Sequence, residues 1–201
     1  MARLSLSKSS LTRETRQLQT FERFLPALDL KRKQLMAERA KALAEQQRIQ
    51  DRLLALRDEV RQKLPMLANR DIALDGLVRL RGVRLGQENI MGTRLPRLLG
   101  VDLERRDYGF LSRPHWVDRL VDAWSRMLEL HARVALQTRR VELLEEAVRK
   151  VTQRVNLFEK VLIPRTQANI KRIRIALSDA ERTAVVRSKI AKGKRLREGL
   201  A

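Results

Sequence analysis

Residues 120–162 read LVDAWSRMLELHARVALQTRRVELLEEAVRKVTQRVNLFEKVL. Every seventh position from Leu120 is apolar: Leu120, Met127, Val134, Val141, Val148, Val155 and Leu162. Three residues further on runs a second row, Ala123, Leu130, Gln137, Leu144, Val151 and Phe158, in which only Gln137 is polar. A helix with a strict seven-residue repeat over this length keeps one narrow stripe dry, and it does so by winding left-handedly around a partner helix. A strand alternates with period two and cannot carry this pattern.

The partner lies upstream. Phe21, Leu28, Leu35, Ala42, Ile49 and Leu56 form another seven-residue series. Its companion row is apolar at the ends (Leu18, Leu25, Leu53, Val60) and polar in the middle (Arg32, Arg39, Gln46). Ala37, Ala40 and Ala44 lie nearby, which predicts a thin or shifted seam there. Ser9 or Ser10 offers a hydroxyl cap for the start of this helix, and Pro65 a stop. Pro26 removes a backbone donor inside it and predicts a bend.

Between the two helices the repeat is lost. Residues 65–113 hold Gly76, Gly82, Gly86, Gly92, Gly100 and Gly109 with Pro65 and Pro96. Val83-Arg84-Leu85 reads as a short strand, and Asn89 to Pro96 as a turn with a return strand. The second helix is expected from Ser112 or Pro114, with Ser112 as cap. Pro164 interrupts it, after which Ile170, Ile173 and Leu177 resume the pattern. The end is basic: Arg187, Lys189, Lys192, Lys194, Arg195 and Arg197.

The expected fold class is all-α: a long antiparallel two-helix left-handed coiled coil with a small middle insert containing a short β-hairpin. One elongated domain, 1–201, divides into an N-terminal helix 9–64, an insert 65–113, a C-terminal helix 114–192 and a basic tail 193–201. At 1.5 Å per residue the helices span roughly 80 Å and roughly 115 Å. Such a rod has almost no core beyond its seam, which suits an aromatic content of only 3%.

Composition narrows function further. The 201 residues carry a formal charge of +20, which favours acidic partners: nucleic acid, anionic lipid or an acidic protein cavity. There is no cysteine, so disulfides, thiolate metal sites and Cys catalysis are excluded. No run approaches the about 18 apolar residues of a membrane span, and Met1-Ala2-Arg3-Leu4-Ser5 lacks a signal core. A cytoplasmic protein is expected, with a peripheral membrane role open.

No catalytic, cofactor-binding or metal site is expected. The two histidines, His115 and His131, read as ordinary helix residues. Glu142, Glu145 and Glu146 precede Arg149 and Lys150, so surface pairing accounts for them. The glycines lack the spacing and the Lys-Ser/Thr ending of a phosphate loop. Trp116 and Trp124 read as packing against the insert, or as partner anchors. The basic tail is either solvated, seated in an acidic cavity of a partner, or bound to nucleic acid. It lacks the interleaved aromatics that base stacking uses.

Several blocks resemble the D subunit of V-type and archaeal/bacterial A-type rotary ATPases. Ser7-Lys8-Ser9-Ser10-Leu11 is similar to the family's opening, and Leu28 to Met36 to its LLKDKRDELM segment. Asn89-Ile90-Met91-Gly92 with Pro96 resembles its NIMGVKVP stretch. Arg154 to Arg165, RVNLFEKVLIPR, is similar to its RVNALEYVVIPR block, continued by Asn169-Ile170. Departures fall at Thr152-Gln153, Lys160 and Thr166-Gln167-Ala168.

The resemblance implies a central stalk: a rotor axle passing torque between a catalytic head and an ion-carrying membrane ring. It implies, as partners, a hexameric head of A- and B-type subunits, a small globular F subunit and a funnel-shaped subunit above the ring. It implies a non-catalytic chain on the cytoplasmic face of the membrane. Two alternatives belong to other classes: a coiled-coil adaptor of a flagellar-type export ATPase, and a nucleic-acid-associated coiled coil. The NIMG-containing insert argues against the first, and only the charge supports the second.

Overall fold

The computed structural model describes residues 5–68, 74–107 and 114–198. Helix α1 spans Lys8–Lys63 and continues through Pro26. A 3-10 turn, Pro65–Ala68, follows. Strands β1, Val78–Ile90, and β2, Thr93–Arg105, form a two-stranded antiparallel sheet. Helix α2 spans Trp116–Leu157, a π-helical turn takes Phe158–Leu162, and α3 spans Ile163–Glu198. These are the two long helical stretches and the middle hairpin that the patterning predicts. No described helix is long and apolar enough to cross a membrane.

The chain divides into two compact units, Lys31–Lys150, and Met1–Leu30 with Val151–Ala201. In the first, α1 and α2 run antiparallel. Arg39 meets Glu145 and Gln46 meets Thr138, so partner numbers fall on one helix as they rise on the other. Leu35, Ala42 and Ile49 from α1 and Val141 and Leu144 from α2 are buried, as the two heptad series require. The middle of the seam is polar. Gln46 Nε2 donates to Thr138 Oγ1 at 2.9 Å, and Gln137 Nε2 donates to the Ala42 carbonyl at 3.1 Å. The one polar member of the α2 row is thus satisfied by backbone, which removes the cost of burying it.

This unit also has a core outside the seam, contrary to the expectation of almost none. Leu64, Leu77, Trp116, Val117, Leu120 and Val121 form a buried cluster, with Val60, Leu67, Val78 and Trp124 packed against it. The chain needs such a cluster here because α1 ends, turns and enters the hairpin within a short span. Arg106 N–H donates to the Leu77 carbonyl at 3.0 Å and closes the hairpin base.

The hairpin is longer than the sequence suggests, with 13 residues in each strand. Gly82, Gly86 and Gly100 sit within it rather than ending it. A Cβ at Gly100 would stand 2.8 Å from Arg84 Nη2, so the exposed guanidinium, which crosses that backbone towards Asp102, would have to move aside. The pairing of Ile90 with Thr93 leaves a two-residue turn, Met91-Gly92, both at positive φ (51° and 78°). That is the left-handed geometry a tight hairpin demands.

In the second unit, α1 starts slightly earlier than the serine pair suggests. Ser7 is the cap, its Oγ accepting from Ser10 N–H at 3.2 Å, while Ser9 and Ser10 lie inside the helix. Phe21 and Phe158 meet edge to face, with ring centroids 5.4 Å apart. Buried Glu14 accepts from Asn169 Nδ2 at 3.1 Å.

Pro164 does not end the helix. The Ile163 N–H donates to the Phe158 carbonyl, five residues back, in the π-helical turn. Proline has no N–H and its ring collides with the carbonyl four residues earlier, so one widened turn accommodates it at little cost. The turn inserts one residue. A heptad continued from Leu162 would bury Arg165, Asn169 and Arg172. The buried residues are instead Thr166, Ile170 and Ile173, each one position later.

The second long helical stretch begins at Trp116, with Val117 N–H donating to the Pro114 carbonyl. Ser112, expected as its cap, and Gly109 lie outside the described residues. Of the basic end, residues 193–198 continue α3, and 199–201 lie outside the described residues.

Candidate functional site

The residues that could carry chemistry are engaged in packing and surface pairing. Trp116 is buried in the core below the hairpin, and Trp124 packs against the same cluster, which includes Leu77 and Val78 of the insert. His115 and His131 lie apart in the chain, one before the start of α2 and one within it, and both are at least partly open to solvent. The three glutamates do not converge. Glu146 pairs with Lys150 at 2.6 Å, Glu142 with Arg139 at 2.8 Å, and Glu145 with Arg39 of α1 at 2.7 Å. Only the first follows the spacing expected from sequence. Arg149 does not pair with Glu145, which faces Arg39 of the other helix, although its charge acts on Glu146.

The Lys150 hydrogen bond, with its charge, holds the Glu146 carboxyl below the ordinary glutamate range, and Lys63 does the same for Glu59. Both carboxylates lie on the surface, so these are local surface effects. Among the described residues, no three His, Asp or Glu side chains gather as a metal site.

Three features offer surfaces for partners. The first is the hairpin, fastened to α2 by Arg140. Its guanidinium donates to Glu88 Oε2 of β1 at 3.1 Å and to the Pro96 carbonyl of β2 at 2.8 Å. Leu95, beside these, is fully buried, and Gly92 comes within reach of Lys31 Nζ of α1. The NIMG and Pro96 residues singled out in the sequence are therefore the tip of the hairpin and its point of attachment.

The second is the far end of α3. Lys8, the first residue of α1, pairs with Glu181 at 3.8 Å. Beyond that contact α3 continues for roughly 25 Å, and every residue from Asp179 to Arg195 is exposed. Arg187, Lys189, Lys192, Lys194 and Arg195 project from it, with Val185, Val186 and Ile190 also exposed. The third is a groove of about 270 Å³ lined by Leu56, Glu59, Lys63, Arg119, Asp122 and Arg126, in which Lys63 pairs with Glu59 at 2.6 Å.

A helical pair held by a narrow seam, with a docked hairpin and long exposed faces, defines a coiled-coil protein. Known proteins give that class its family. The family model described as the ATP synthase D subunit matches residues 10–193. The V-type ATP synthase D subunit of Borreliella burgdorferi is 31% identical over 199 residues, covering 96% of this chain and 95% of that protein. The proteins of the same name from Chlamydia muridarum and Chlamydia felis are 33% and 34% identical over 202 residues, each alignment covering 96% of this chain, with 96% and 94% of those proteins. The chain belongs to the ATP synthase D-subunit family, whose members are stalk subunits of V-type rotary ATP synthases.

Proposed function

We propose that this chain is the central rotor shaft of a V-type rotary ATP synthase. It transmits torque between ATP hydrolysis or synthesis in a head of A- and B-type subunits and ion movement through a membrane ring. It has no catalytic site, binds no cofactor or metal, and works on the cytoplasmic face of the membrane as part of the complex. A small globular F subunit and a funnel-shaped subunit hold its lower part.

The observation that supports this most is the basic helix beyond Glu181, exposed all round and, among the described residues, without a partner helix at its side. A lone helix of this kind is stable only when something surrounds it, since most helical stability comes from packing. The acid-poor surface fits the acidic interior of a head. The hydrogen-bonded seam supplies stiffness, and a rigid asymmetric element displacing its neighbours is one known route of coupling between subunits.

The test is reconstitution. The purified chain alone should hydrolyse no ATP, and adding it to head subunits should produce hydrolysis that drives ion transport once ring and stalk partners are present. ATP hydrolysis by the chain alone, or unchanged coupling without it, would overturn the proposal.

A further inference from the structure

The two register shifts of the hairpin have a joint effect on its surface. β1 carries an extra residue at Arg81, between the pairs Leu80↔Leu103 and Gly82↔Asp102. β2 carries one at Leu99, between Arg84↔Gly100 and Leu85↔Leu98. Side chains alternate along a strand, and an inserted residue reverses the alternation beyond it. In sequence, Leu80 and Val83 are three apart, as are Leu98 and Val101, and would point to opposite faces. With the bulges they share one. The pairs Leu80↔Leu103, Val83↔Val101 and Leu85↔Leu98 therefore stack consecutively on a single face. The other face carries Arg84 with Asp102, and Glu88 and Leu95 at the Arg140 attachment.

This apolar ladder is open to solvent. Leu80 is 47% exposed, Val83 38% and Leu85 56%, with Leu98, Val101 and Leu103 half-buried. Contiguous exposed apolar surface of this kind marks an interaction site. On the same face stands exposed Arg94, paired with Asn89, and exposed Arg81 sits at the bulge beside Leu80, neither in an ion pair among the described residues.

We infer that the apolar face of the hairpin is a docking surface for an acidic amphipathic segment of a partner protein, its apolar side chains on the three cross-strand pairs and its carboxylates against these arginines. Charge complementarity chooses this occupant: a basic segment would be repelled, and a second copy of the chain would set arginine against arginine. The inference rests on the stalk role proposed above, since the partner belongs to the same complex.

The experiment places a photo-cross-linking amino acid at Leu85 in the full chain, assembled with head and stalk subunits, and maps the products by mass spectrometry. The expected product joins position 85 to a segment in which apolar residues alternate with Asp and Glu. Leu85→Asp should weaken binding of that partner by about tenfold or more while leaving the helical circular dichroism unchanged. Arg81→Glu with Arg94→Glu should weaken it in a way that high salt abolishes. Cross-links confined to the chain itself, or to lipid, nucleic acid or a basic segment, overturn the inference and leave the stalk role standing. Failure of the unmodified chain to assemble with the head overturns both.

Discussion

Removing Glu159 while changing Pro164→Ala should leave the protein nearly as stable as it is now, although it shortens a helix next to its seam. The π-helical turn at Phe158–Leu162 takes up one residue, and Thr166, Ile170 and Ile173 face inward because of it. Deleting one residue lets an uninterrupted α-helix present those same three side chains inward. Replacing the proline removes the reason for the wide turn, so the net change should be within about 1 kcal/mol, the worth of one hydrogen bond. Glu159 deletion alone leaves proline inside a regular helix and should cost about 3 kcal/mol. Inserting one alanine after Gln167 turns Ile170 and Ile173 away by about 100°. Both are buried, at 7% and 0% exposure. At about 1.5–3 kcal/mol for each side chain, the insertion should cost about 3–6 kcal/mol. Guanidinium unfolding followed by far-ultraviolet circular dichroism measures all three. If the double variant loses as much stability as the insertion, the turn does not set the phase of the seam and the reasoning fails.

Leu144→Ala should cost about 2–5 kcal/mol, because this side chain is fully buried. Val148→Ala, at a half-buried position, should cost about 1 kcal/mol or less by the same unfolding measurement. Val148→Asp should accordingly be milder than Leu144→Asp, although both positions belong to the heptad rows. Deleting residues 187–201 should weaken assembly with the head in a salt-dependent way and leave some coupled ATPase activity, since exposed ion pairs contribute about 0–1 kcal/mol each. Ile173, the last buried residue among those described, lies well before the cut, so the helices should still fold. Equal affinity at low and high salt would show that the basic end is merely solvated. Glu146 should titrate below ordinary glutamates by NMR, and Lys150→Met should return it to their range. The sign follows from the lowered value: any stabilisation is present above the ordinary glutamate range and is lost as pH falls through the depressed value.

The helices are legible in the sequence because heptads repeat. Leu120 to Leu162 and Phe21 to Leu56 mark two seams without further information, and Gln137 marks the one place where a seam would need a polar partner. The hairpin is legible only in outline. Its glycines at 82, 86 and 100 look like punctuation in a sequence, yet they lie within strands, and at 86 and 100 a leucine or an arginine crosses the backbone closely. The bulges at Arg81 and Leu99 cannot be read at all, because register depends on the pairing of both strands. Pro164 reads as a disturbance, but whether a proline breaks a helix or widens one turn depends on what lies beyond it. The apolar residues displaced by one, Ile170 and Ile173, are the available sign. The Arg39 to Glu145 pair is hidden because its members are 106 residues apart.

The Arg140 attachment has a kinetic consequence. One guanidinium holds a carboxylate of β1 and a carbonyl of β2 together near the hairpin's tip, while Arg105 of β2 holds Asp122 of α2 at its base. Opening the Arg140 clasp releases the tips of both strands in one event rather than fraying them separately. Amide hydrogens along Glu88 to Leu95 should therefore exchange with solvent at a common opening rate, distinct from that of α2 beneath them. Lysine at position 140 offers one ammonium in place of a planar fork and cannot reproduce the two-strand grip. The tip of the hairpin should in this sense open separately, while its base stays held by Arg105 on Asp122 and the seam stays closed.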